Sequence, residues 1–158
     1  MEKTNAHHLT AVRSDLATTP VGPATQAMRK GVLLVEHEVP IRELLCEAME
    51  CRMIPYWTAG NVAEALDIAH SHGDSIGVVV LEQDFPEWNG ALMWEVLRRL
   101  KRHLKGCLIV PDGVEWTPRQ VAELGVSAIV HKPVQVDDLM RLVRDLTTAD
   151  DDQTWIAK

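Results

Sequence analysis

Three apolar runs, each stopping at charged residues, set the strongest limit on what this chain can fold into. Val32-Leu33-Leu34-Val35 ends at Glu36-His37, Val78-Val79-Val80-Leu81 ends at Glu82, and Ala128-Ile129-Val130 ends at His131-Lys132. Short continuous runs of β-branched and aliphatic residues are buried strands of a parallel sheet, and residues just beyond their carboxyl ends line the crevice where ligands bind. Two acidic strand ends facing a lysine predict a charged pocket.

The segments between the runs read as helices. Ile41, Leu44, Leu45, Ala48 and Met49 recur at helical spacing over about 38–51, with Pro40 in the first turn, where a missing N–H does no harm. A second strand is expected over about 54–58; Pro55 assigns it to a sheet edge. Asn61 with Glu64 reads as a capping box opening a helix to about His70. Asn89 caps a further helix with a stripe of Met93, Val96, Leu97, Leu100 and Leu104. After a fourth strand over 107–110, Thr117, Pro118 and Gln120 supply cap, first-turn proline and N3 partner of a short helix that stops at Gly125. Val136, Leu139, Met140, Val143 and Leu146 mark the last helix. Five strands alternating with helices imply βαβ crossovers and a doubly wound parallel sheet.

The 158 residues, 46% of them hydrophobic, suffice for one domain with a real core, and scarce aromatics leave the filling to aliphatic side chains. We expect a flexible arm over 1–30, a domain over 31–148 and a tail over 149–158. A short helix near 11–17 is compatible with the arm, His7-His8 reads as a solvated pair, and Trp155 is free to fold back or not. The net charge of −7 argues against general nucleic-acid binding, which needs a basic surface. No stretch resembles a signal peptide or a membrane span, so no membrane partner and a cytoplasmic location are expected. Three cysteines without CxxC spacing are expected to stay reduced, with Cys46 and Cys107 in the core.

From Val32 to Leu146 the chain resembles the receiver domain of two-component response regulators. The resemblance rests on VLLVEHEVPIRELL at 32–45, VVVLEQDFPEWNG at 78–90 and GVSAIVHKP at 125–133. It implies a flavodoxin-like sheet of order 2-1-3-4-5. It also implies a reaction, in which a histidine kinase passes a phosphoryl group to an aspartate after the third strand. In that scheme an acidic pair after the first strand holds Mg²⁺, a hydroxyl after the fourth binds the phosphoryl group, and a lysine after the fifth contacts it.

Carried over position by position, this chain departs from that scheme nearly everywhere. The phosphoacceptor position is Glu82, the acidic pair is Glu36-His37, and the hydroxyl position is Asp112, or Pro111 if the register slips by one. The switch aromatic becomes Ile129, and only Lys132 is as in the family. Glutamate carries its carboxylate about 1.5 Å further than aspartate, which spoils the positioning that phosphoryl transfer depends on. Mg²⁺ prefers oxygen ligands to an imidazole. A carboxylate at Asp112 would repel a phosphoryl group about 4 Å away by about 4 kcal/mol at an effective dielectric near 20.

These substitutions predict a degenerate, stand-alone receiver domain that acts by protein–protein contact without phosphorylation, in which Lys132 reaches Glu82 and Asp112 and imitates or locks one signalling state. No catalytic residue, metal or cofactor is expected. The partner is a protein, either a histidine kinase or another signalling protein, and by family analogy its surface is the fourth helix, fifth strand and fifth helix (about 117–146). The alternatives are a working phosphoacceptor at Glu82 or Asp84, and a purely structural ion network. A transition-metal site using His37, Glu36 and Glu82 is permitted by the spacing but not demanded by it, as is a pH-sensitive pocket through His37. The basic run from Arg98 to Lys105 reads as a solvated helix end, and Trp88, Trp94 and Trp116 read as packing residues near the pocket. No Gly-rich phosphate loop, DxHxxG pattern or nucleophile elbow is present.

Overall fold

A computed structural model describes residues 30–86 and 88–148. The elements run β1 (Gly31–Val35), α1 (Val39–Glu50), β2 (Tyr56–Ala59), α2 (Val62–His72), β3 (Ile76–Glu82), α3 (Gly90–Leu100), β4 (Lys105–Val110), α4 (Pro118–Leu124), β5 (Ala128–His131) and α5 (Val136–Thr148), with a 3-10 turn at Gly73–Ser75. The strands form one sheet in the order β2-β1-β3-β4-β5, every pair parallel. The arm, its histidine pair, the tail and Trp155 lie outside the described residues.

Alternation along each strand divides the core in two. Val32, Leu34, Val78, Val80, Cys107 and Ile109 face α1 and α5, against Leu45, Met49, Leu139 and Val143. Leu33, Val35, Val79, Leu81, Leu108 and Val110 face α2, α3 and α4, against Ala65, Met93, Leu97 and Val121. Both faces of the central strands are therefore dry, and a central run needs no polar alternation.

Local chemistry sets the element ends. Asn61 and Asn89 accept hydrogen bonds from the N–H groups of Glu64 and Ala91 at 2.9 and 2.8 Å. Glu64 itself reaches back to Gly60 N–H at 2.7 Å, one residue before the expected partner. Thr117 and Gln120 form the complete capping box, and α4 stops at Gly125, whose φ of 67° is left-handed. Pro55 lies just before β2 instead of within it and accepts from Val32 N–H through its carbonyl at 2.9 Å. β2 is nevertheless the sheet edge.

Several expected core positions face outward. Leu44 and Leu100 are half exposed, and Cys46 is only partly buried beside the core. Trp94 does the reverse. It is fully buried, stacked so closely over Gly106 that a Cβ there would lie 2.8 Å from the indole, and its Nε1 donates to the Leu124 carbonyl at 3.1 Å. The expected solvated basic run is tied into the fold at several points: Lys101 pairs with Asp74 at 2.7 Å, and His103 Nε2 contacts the carbonyls of Gly73 and Ile76 at 3.1 and 3.0 Å.

Candidate functional site

The strand order reverses between β1 and β3, so the loops leaving these strands part company and open a crevice at their carboxyl ends. Glu36 and Glu82 stand there, each 3% exposed, the two buried carboxylates among the described residues. Main-chain contacts place both. Glu36 N–H donates to Ala59 O at 3.0 Å, and its Oε1 accepts from Glu38 N–H at 2.8 Å. Arg42, one turn into α1, donates to the carbonyls of Glu36 and His37 at 2.6 and 3.4 Å and so clamps the turn.

The loop after β3 folds back on itself. Gly90 N–H donates to Gln83 O at 2.8 Å, while Gln83 N–H donates to Ile109 O at 2.7 Å. Gly90 sits against the backbone of Glu82, where a Cβ would fall 2.0 Å from the carbonyl oxygen. The glycine is required by this close approach, not by its dihedral angles. Phe85, buried in the same loop, holds the His37 ring edge-on, with centroids 5.3 Å apart.

Lys132 Nζ donates to Glu82 Oε1 across the mouth of the crevice. On the opposite side His37 Nδ1 lies 3.4 Å from both Glu36 Oε1 and Glu82 Oε2. That separation is too long for a charge-assisted hydrogen bond. His37 Nδ1 and Glu82 Oε2 are both buried without a hydrogen-bond partner. A desolvated carboxylate oxygen without a donor is costly, so the site is unbalanced as it stands.

Four of the residues singled out in the sequence thus meet: Glu36, His37, Glu82 and Lys132. Asp112 does not join them. It is exposed, and no ion pair among the described residues reaches it. The reason is local: β4 ends at Val110, so Pro111 is the first residue past the strand and Asp112 lies one step further out. The expected pairing of Asp112 with Lys132 is therefore not found, and Lys132 engages Glu82 alone among the described residues. Ile129 is buried in β5, 6% exposed. Asp84 is exposed and bridges to Asn89. Trp116 is half-buried and donates through Nε1 to Gln83 Oε1 at 3.2 Å, a contact behind the pocket that the sequence did not indicate.

A five-stranded parallel sheet of this order, with its charged crevice at β1 and β3, defines the doubly wound, flavodoxin-like class of α/β domain. The chain matches the response regulator receiver domain over residues 32–144 and belongs to that family. It is similar to a response regulator receiver protein from Pseudomonas putida, with 26% identity and a TM-score of 0.67, over 75% of this chain and 98% of that one. A receiver domain protein from Clostridium thermocellum is 19% identical, with a TM-score of 0.68 over 75% and 94% of the two chains. A structure named adenylate cyclase from Rhodopirellula baltica shares the fold at 17% identity, with a TM-score of 0.69 over 75% and 87%. No curated protein sequence matches the chain.

Receiver domains typically bind Mg²⁺ at the phosphorylation site. The donor set here suits that ion poorly. Mg²⁺ takes near-octahedral oxygen ligands, and this crevice presents an imidazole nitrogen between its two buried carboxylates. Among the described residues no helix is long and apolar enough to cross a membrane.

Proposed function

We propose that the chain works as a receiver domain in two-component signal transduction, the role its family match supports. We propose that it signals by protein–protein contact without aspartyl phosphorylation, and that it carries no catalytic residue of its own. The observation that carries this reading is the Lys132 contact to Glu82. The phosphoacceptor position already holds a longer carboxylate, already engaged by the cation that would otherwise meet an incoming phosphoryl group. The imidazole of His37 in the acidic pair supports the same reading, since phosphoryl transfer is mostly positioning and charge stabilisation.

The docking partner is a protein, either a histidine kinase or another signalling protein. The surface proposed for it is α4, β5 and α5, over 117–146. A cavity of about 220 Å³ between β5 and α5, with Ile129, Leu139 and Leu142 in its apolar lining and His131, Gln135 and Asp138 in its polar lining, supports that choice. The net charge of −7 speaks against nucleic acid as the partner. Three free cysteines fit a reducing cytoplasmic setting.

Intact-mass analysis after incubation with acetyl phosphate and Mg²⁺ tests the reading. The wild-type mass is expected to stay unchanged, while Glu82→Asp is expected to gain some phosphoryl adduct. A wild-type adduct mapping to Glu82 or Asp84 overturns it.

A further inference from the structure

We infer that Glu36, His37 and Glu82 form a binding site for a single first-row transition-metal dication of the zinc type, in place of Mg²⁺. Three donor atoms converge: Glu36 Oε1, His37 Nδ1 and Glu82 Oε2, with the imidazole nitrogen 3.4 Å from each oxygen. A tetrahedral ion bonded at about 2.0–2.1 Å holds its ligands about 3.3–3.4 Å apart, the spacing of both edges that meet at the imidazole nitrogen. Octahedral Mg²⁺, with similar bond lengths, needs neighbouring ligands about 2.9 Å apart. Glu38 offers a fourth donor from the exposed side, and one ligand atom from each of the four residues lies within 4.8 Å of all the others.

A second, independent observation points to a ligand. Glu82 is 3% exposed, and its Oε2 faces the cluster without a hydrogen-bond partner, as does His37 Nδ1. Glu82 Oε2 offers lone pairs, and His37 Nδ1 in its Nε2–H tautomer offers one toward the same point, an arrangement that a bound cation satisfies. Charge agrees: of the two buried carboxylates only Glu82 is paired by a cationic side chain, Lys132, while Arg42 donates to the Glu36 and His37 carbonyls rather than to a carboxylate. Lys132 occupies Oε1 of Glu82 and leaves Oε2 free.

The surroundings are already those of a metal site. The Glu36 carboxylate is oriented by Glu38 N–H, the turn bearing both ligands is clamped by Arg42, and the imidazole is held by Phe85. Such outer contacts fix ligand direction before the ion arrives. An imidazole among carboxylates favours zinc, nickel, copper or iron over magnesium or calcium.

The inference goes beyond the signalling reading and does not rest on it. A pocket that bound zinc and also accepted phosphate would defeat that reading and leave this one standing. The test uses the untagged full-length chain with His7→Ala and His8→Ala, so that the arm's histidine pair does not compete. Zn²⁺ and Mg²⁺ affinities are read by calorimetry, and Co²⁺ serves as an absorbing probe. One Zn²⁺ per chain is expected, about 100-fold tighter than Mg²⁺, with cobalt bands of low-coordinate type. His37→Ala, at a partly buried position on the turn after β1, is expected to weaken Zn²⁺ at least about 10-fold with the denaturation midpoint little changed, and His37→Asp to shift preference toward Mg²⁺. Zn²⁺ affinity no better than that for Mg²⁺, or equal affinity in wild type and His37→Ala, overturns the inference.

Discussion

Lys132 at the end of β5 and Glu82 at the end of β3 are joined by an ion pair that crosses β4. The partners are unequally placed, since the Glu82 side chain is 3% exposed and that of Lys132 is 39%. Removing the lysine therefore strands a buried carboxylate, whereas removing the glutamate frees a cation that water can reach. Lys132→Ala is expected to lower stability by about 2 kcal/mol, below the full cost of breaking a wholly buried pair because solvent reaches the lysine. Glu82→Gln should cost less, and urea denaturation of the two variants gives the comparison. A larger loss in Glu82→Gln than in Lys132→Ala contradicts the asymmetry.

The thiols should differ in reactivity by position. Cys51 is exposed, Cys46 partly buried, and burial alone pushes the Cys107 thiol up to about 12. Titration with a chromogenic disulfide at mildly alkaline pH is expected to modify Cys51 first, Cys46 more slowly, and Cys107 only on unfolding.

The same cysteine makes stability fall in alkali. Above pH 9 the unfolded chain ionises the Cys107 thiol while the folded chain keeps it protonated, so the unfolded state binds fewer protons. Stability from this group is complete below about pH 9 and declines by about 1.4 kcal/mol per pH unit up to about pH 12. Tyr56, raised by burial and by its hydrogen bond to Glu50, contributes in the same direction from above pH 10. Denaturation curves at pH 8.5 and 10.5 should differ less in Cys107→Ala than in wild type.

Gly90→Ala should be among the most damaging small substitutions. The added methyl meets the Glu82 carbonyl at 2.0 Å, a backbone atom that cannot step aside as a side chain would. We expect a loss of about 2–3 kcal/mol in chemical denaturation, at the upper end for overpacking. Gly113→Ala serves as the control: its φ of 77° carries some strain, but nothing lies within 4 Å of a Cβ there.

The sequence exposed the sheet because its strands are buried on both faces and so read as unbroken apolar runs. It exposed four members of the pocket because they follow those runs directly. The sequence left the hydroxyl position between Asp112 and Pro111, because the end of β4 decides which loop residue stands first and a proline at 111 gives no polar signal of that boundary. Trp94 was legible only as an aromatic near a loop; its burial depends on the bare backbone of Gly106, twelve residues away on another element. Leu44 and Leu100 fitted a helical stripe, yet periodicity cannot say how wide a stripe the sheet will cover.

The indole of Trp94 has a mechanical consequence. It joins α3 to the carbonyl of Leu124 inside the core, and the main chain turns sharply at Gly125 directly afterwards. The carboxyl end of α4 is thus a hinge pin, because displacing it would break a buried hydrogen bond and unseat a large ring. Its amino end at Thr117 is held by exposed capping contacts and, one residue earlier, by the half-buried Trp116, which donates to Gln83 Oε1. Displacing the carboxyl end of this helix therefore costs a buried hydrogen bond and the seat of a large ring, whereas its amino end gives up only exposed and part-buried contacts.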